Sequence, residues 1–125
     1  MTETMSIAEY RKSSGRPIRK YRNVKVELDG KKFDSRLEAQ RYEELKNLAK
    51  LGQVKWFTRQ VPFQLPGNIT YRADFLVVWA SRMPEYISVE DCKGFMTRVS
   101  LNKIKQVEAI YQIKINIITR ERYRK

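Results

Sequence analysis

Two strand-length apolar segments, residues 71–79 and 86–93, constrain this chain more than any other feature. Side chains alternate along a strand, so residues two apart share a face. In the first segment Arg72, Asp74, Leu76 and Val78 share a face, so Asp74 sits on a face that is apolar beyond it. In the second, Ile87, Val89, Asp91 and Lys93 share a face and Glu90 points the other way. Burying an unpaired charge is costly. An apolar face that ends in a carboxylate and a lysine therefore asks for a reason.

The flanking segments supply a frame. Val24, Val26 and Leu28 alternate, Asp29-Gly30 makes a tight turn and residues 31–33 return, a pattern that predicts a short hairpin. Ser35-Arg36-Leu37-Glu38 fits a capping box, opening a helix to about Leu51 with Gly52 as its C-terminal cap. Residues 54–57 and 60–65 are expected as strands around a bend, and Pro66-Gly67-Asn68 as a turn. Ser100 is expected to cap a second helix ending near Tyr111, followed by a last strand over residues 114–118. Helix, several strands, helix, strand is the order of an α/β or α+β domain with a central sheet covered by helices.

The first helix repeats the anomaly of the strands. At 100° per residue, Leu37, Tyr42, Leu45, Leu48, Ala49 and Leu51 form an apolar arc, and Glu38 falls inside it. Glu38, Asp74 and Asp91 thus point towards one sheet–helix boundary, with Lys93 beside them. Converging carboxylates repel each other, and a divalent cation such as Mg²⁺, which prefers oxygen ligands, relieves that repulsion. Each residue also has a plainer reading. Asp74 can pair with Arg72 or Lys93, Asp91 can form a strand-end ion pair with Lys93, and Glu38 can be only the third residue of its capping box.

Composition narrows the chemistry. The chain has 125 residues, enough for one domain, of which 42% are hydrophobic. Lys plus Arg number 26 against 14 Asp plus Glu, a net charge of +12 that favours a polyanionic partner, above all nucleic acid. There is no histidine and one cysteine, Cys92. That excludes Cys/His zinc sites, histidine-based nucleases and Ser-His-Asp hydrolases. Any hydrolysis must rest on carboxylates, lysine and a hard metal ion. No apolar run reaches the roughly 18 residues of a membrane span, and residues 1–22 contain no apolar stretch like that of a signal peptide. A cytoplasmic protein without membrane contact is expected. Residues 1–22 are predicted to be a basic flexible arm that follows phosphates through Arg11, Lys12, Arg16, Arg19 and Lys20. Residues 23–119 form the domain, and residues 120–125 a second basic tail.

The order of elements and acids resembles the PD-(D/E)XK nuclease superfamily. Its motif is an acid at the end of one strand and (D/E)-X-K on the next, here Asp74 in Tyr71-Arg72-Ala73-Asp74-Phe75 and Asp91-Cys92-Lys93. A glutamate on the first helix often joins them, as Glu38 does in Phe33-Asp34-Ser35-Arg36-Leu37-Glu38-Ala39. The resemblance covers residues 33–118, and the pattern looks most like small phage- and prophage-encoded endonucleases sometimes likened to Holliday-junction resolvases. It departs at Ala73, where the superfamily has proline, and Glu90 beside Asp91 makes the motif ambiguous. Strand alternation favours Asp91. The resemblance implies a restriction-endonuclease-like αβββαβ core, with a mixed central sheet flanked by helices. It also implies Mg²⁺- or Mn²⁺-dependent hydrolysis of DNA. Glu38, Asp74, Asp91 and the backbone carbonyl of Cys92 would hold the metal, and Lys93 would orient the attacking water. Lys103 and Gln106 are candidates for phosphate contact on the second helix, and a homodimer would serve to cut two strands. The rivals are a non-catalytic nucleic-acid-binding protein and a sequence-specific restriction-type endonuclease.

Overall fold

The computed structural model describes residues 4–5, 25–80 and 86–124. The arm positions Arg11, Lys12, Arg16, Arg19 and Lys20, and Val24 at the start of the predicted hairpin, lie outside the described residues. The elements in chain order are β1 (Thr4–Met5), β2 (Val26–Leu28), β3 (Lys31–Phe33), α1 (Arg36–Lys50), β4 (Val54–Leu65), β5 (Ile69–Trp79), β6 (Tyr86–Cys92), β7 (Met96–Thr97), α2 (Arg98–Tyr111) and β8 (Ile115–Ile118). A 3₁₀ turn over Arg120–Tyr123 follows.

Local chemistry sets the ends of α1. Asp29 and Gly30 both take left-handed backbone (φ 56° and 72°), the conformation a two-residue hairpin turn needs, and β2 pairs antiparallel with β3. Ser35 is the N-cap of α1, and its Oγ accepts the Glu38 amide at 3.1 Å. The Glu38 side chain turns back to accept the Asp34 amide at 2.9 Å, one residue earlier than a capping box requires. At the other end Leu51 is the C-cap and Gly52 (φ 81°) donates to Ala49 O at 3.1 Å, while Gln53 donates to Leu48 O at 2.9 Å. This 6→1 and 5→2 pair is the Schellman stop. Leu51, counted in the apolar arc from sequence, is exposed at this stop, whereas Leu37, Tyr42 and Leu45 are buried.

The central sheet has four strands in the order β4-β5-β6-β8. β4, β5 and β6 run antiparallel, and β8 joins β6 in parallel after the α2 crossover. The molecule is thus mixed α/β, with a mixed central sheet and two helices. The strand pair predicted around a bend is a single 12-residue strand, β4, in which Gln60 adopts φ 55°. The second helix begins earlier than Ser100. Its N-cap is Thr97, whose Oγ1 accepts the Ser100 amide at 3.0 Å. Met96–Thr97 is drawn into extended backbone as β7, in parallel register with Thr4–Met5, so the cap falls where that strand ends.

Two apolar clusters flank the sheet. On one side Phe33, Ala39, Tyr42 and Leu45 pack on Val54, Phe75 and Val77. On the other, Ile104 and Val107 of α2 pack on Leu65, Tyr71, Ala73, Val89 and Ile115. On β5 the odd residues Tyr71 and Ala73 face α2, but the odd residues Phe75 and Val77 face α1. On β4, Val61 and Phe63 face α2 while Phe57 faces α1. Both strands turn over together where Gln60 stands opposite Asp74 in the register fixed by Arg59↔Phe75 and Val61↔Ala73. The uniform alternation expected for residues 72–78 is therefore interrupted at Asp74. Left-handed backbone at a non-glycine residue is the local cause, since it rotates the strand out of its regular pleat.

The C-terminal basic segment, expected as a tail, is docked. Arg122 donates from Nε and Nη2 to the Glu44 carboxylate at 3.1 Å each, and Tyr123 OH donates to Glu44 Oε1 at 2.7 Å. Among the described residues, no helix is long and apolar enough to cross a membrane.

Candidate active site

Asp74, at the point where the sheet faces exchange, reaches groups from both sides. Its Oδ2 accepts the Cys92 amide at 2.8 Å, and the Glu38 and Asp91 carboxyls lie close enough to act on its proton affinity. Glu38 comes from α1, where it is buried; Asp91 comes from β6, where it is buried too. Glu38 and Asp91, expected to converge with Asp74, both lie next to it. No ion pair joins Asp74 to Arg72 or to Lys93 among the described residues. Burial pushes the Asp74 carboxyl up to about 10, and the hydrogen bonds and negative charges of Glu38 and Asp91 act in the same direction. The group holds a proton where an isolated carboxyl would long have lost it.

Asp91 is fixed from two directions. Tyr71 OH donates to its Oδ2, and Lys93 Nζ lies 3.3 Å from the same oxygen. Burial, then the Asp91 charge and hydrogen bond, push the Tyr71 hydroxyl far above its ordinary value, so it remains a donor. Lys93 is 23% exposed against 3% for Asp91, so its ammonium lies between the buried acid and solvent.

Glu90 is accounted for elsewhere. Arg41 of α1 donates to it from Nε at 2.7 Å and from Nη2 at 2.5 Å, a bidentate pair in which both side chains are 3% exposed. Arg41 Nη1 also holds Glu44 at 2.8 Å. The neighbouring acid is consumed by a structural pair on the α1 face, and Asp91 is the one beside Lys93, as strand alternation suggested.

A family model described as "Protein of unknown function (DUF1064)" matches residues 18–125. The chain belongs to the DUF1064 family. No curated protein and no solved structure matches it.

In this DUF1064 chain, other expected residues stand apart from the acids. Lys103 is partly exposed and Gln106 exposed on α2, and no contact among the described residues joins either to the carboxylates. Three residues that sequence reasoning passed over belong to the site. Tyr71 orients Asp91, Arg41 removes Glu90, and Gln60 Nε2 approaches Glu38 Oε2 at 3.4 Å. Only Tyr71 had a legible signal, as the first residue of the predicted strand that carries Asp74.

The donor chemistry suits a hard divalent cation: clustered carboxylates, and one proton held against its ordinary tendency where a cation could supply the charge instead. The arrangement is closed, however. Among the described residues no group of three or more His, Cys, Asp or Glu is disposed to hold a metal ion. Burial, and then the charges of Asp74, Glu38 and Asp91, push the Cys92 thiol far up.

Proposed function

We propose that this chain is a divalent-cation-dependent endonuclease that hydrolyses phosphodiester bonds of DNA, on a restriction-endonuclease-like αβββαβ core of the PD-(D/E)XK kind. The observation that carries the reading is the contact of Asp74 with both Glu38 and Asp91, beside Lys93. The sequence of α1, then β4, β5 and β6, then α2 and β8 supports the core assignment. The net charge of +12 supports a polyanionic substrate.

Glu38, Asp74, Asp91 and the Cys92 carbonyl would hold Mg²⁺ or Mn²⁺, which when bound supplies Lewis acidity to a phosphate oxygen and acidifies bound water. The chain's own residues do the rest. Lys93, half-shielded at 3.3 Å from Asp91 Oδ2, can donate to an attacking water and offset charge gathering on phosphate. Tyr71 keeps Asp91 in one orientation as the charge around it changes. Arg41 keeps Glu90 from competing for the same cation. Cutting both strands of a branched or duplex substrate would take two such chains.

The test is cleavage of supercoiled, single-stranded, flap and four-way-junction DNA with Mg²⁺, and its suppression by EDTA. Asp74→Asn is expected to lower cleavage by at least about 100-fold, the scale of a lost transition-state contact, while DNA binding persists. Near wild-type cleavage by Asp74→Asn would sink the site assignment. The second reading, a nucleic-acid-binding protein without catalysis, draws on the closed arrangement of the carboxyls. It predicts binding by the wild type and no EDTA-sensitive nicks on any substrate.

A further inference from the structure

Arg120 opens the 3₁₀ turn immediately beyond β8. β8 pairs in parallel with β6, Cys92 opposite Ile118, so the chain leaves both strands at the same edge of the sheet, the edge that carries Asp91 and Lys93. Lys93 N donates to Ile118 O at 3.0 Å, which ties the two exits together. The Arg120 guanidinium lies over Gly94: a Cβ at that glycine would meet Nη2 at 3.0 Å and Cζ at 3.4 Å. The residue next to Lys93 thus leaves open the space this cation fills.

Three neighbouring cations are engaged. Arg41 is spent on Glu90 and Glu44, Arg122 on Glu44, and Lys93 on Asp91. Tyr123 adds its hydroxyl to Glu44, so the turn is anchored on α1 at its far end. Arg120 contributes nothing to that anchorage. Among the described residues its side chain has no ion pair and no hydrogen bond, and it is exposed. A guanidinium held on an anchored turn and left unpaired beside a lysine offers a planar fork suited to phosphate oxygens.

We propose that Arg120 binds a backbone phosphate of the DNA strand next to the one Lys93 faces, and so sets the register of the strand across the carboxylates. The proposal rests on the nuclease reading above. The experiment therefore measures binding in EDTA, where cleavage plays no part, with the full chain and a labelled DNA duplex over a KCl series. Arg120→Ala is expected to bind roughly fivefold more weakly at low salt, the loss of one charge-assisted contact. Its log affinity against log salt should be shallower by about 0.9, one phosphate's worth of released counterion. Arg120→Lys should restore the slope but only part of the affinity. All three proteins should melt at the same temperature, because Arg120 has no ion pair or hydrogen bond among the described residues. If wild type binds DNA and Arg120→Ala matches it in slope and affinity, the proposal is overturned and the nuclease reading stands. A fall in melting temperature with an unchanged slope also overturns it, by making Arg120 structural. If wild type does not bind DNA, the nuclease reading fails and this inference fails with it.

Discussion

Asp74 is the residue on which the site turns, and its proton is a measurable property. In the fold its carboxyl is pushed up to about 10 from an ordinary 3.8. The folded state therefore binds this proton more tightly than the unfolded chain does. The stabilisation linked to it is complete below the unfolded value and is lost as pH rises towards the folded one. A divalent cation that takes the proton's place should restore stability mainly at the alkaline end of that window. We expect Mg²⁺ or Mn²⁺ to raise the melting temperature clearly at pH 8 and little at pH 5. At 100 times its Kd the ion should contribute about 2.7 kcal/mol. Asp74→Asn, which has no proton to displace, should lose the pH dependence of that gain. Equal gains at both pH values in wild type would mean that the ion binds somewhere other than Asp74. The sequence made Glu38, Asp74, Asp91 and Lys93 legible, because carboxylates at buried positions are conspicuous. It did not reveal Arg41 or Gln60. Arg41 reads as an ordinary exposed helix residue until Glu90, 49 positions away, comes to it.

At the scale of elements, α1 has two jobs that can be separated. Ser35 closes its first turn by accepting the Glu38 amide, and the Glu38 side chain serves both the Asp34 amide and the carboxyl cluster. Ser35→Ala should cost about 1 kcal/mol of stability through the lost cap and leave most of the cleavage. Glu38→Gln should cost about 1 kcal/mol or less, since an amide oxygen still accepts the Asp34 amide, yet cut cleavage sharply. Thermal melts and initial cleavage rates on both variants decide it; full activity in Glu38→Gln would leave Glu38 a cap alone. The hairpin turn, the limits of α1 and the strands β5, β6 and β8 were legible because turn and cap residues act locally. The exchange of faces at Gln60 and Asp74 was not. Counting alternate residues assumes an unbroken pleat, and nothing in the Arg59-Gln60-Val61 run announces left-handed backbone at glutamine. The start of α2 was misplaced for a similar reason. Thr97 and Ser100 are equally good caps, and the choice between them is made by β7, a strand whose partner is Thr4–Met5.

Across the whole molecule, the C-terminal turn and the helix that carries Glu38 are joined at Glu44. Partial burial alone would raise the Glu44 carboxyl, but hydrogen bonds from Arg122, Tyr123 and Arg41 outweigh it and hold the group at about 2. Its folded value lies below its unfolded one, so the stabilisation is present above about 4.5 and is lost as pH falls towards 2. Glu44→Gln should melt lower than wild type at pH 7, by about 1 kcal/mol once solvent screening of a partly exposed carboxylate is allowed for. The two proteins should converge by pH 2 to 3 in urea titrations. A gap that persists unchanged in acid would mean that Glu44 acts through packing rather than charge.

The left-handed residue in β4 also bears on how these molecules behave towards one another. β4 is 12 residues long and, among the described residues, is paired on one side only. A long straight border of unpaired amides and carbonyls invites a second chain to dock along it and keep growing. This border is not straight. A bulge interrupts it between Val54 and Trp56, Gln60 bends it, and Pro62 lacks an amide to offer. The same distortion that lets Asp74 face both layers thus deprives a neighbouring strand of a continuous template, and works against stacking into fibres.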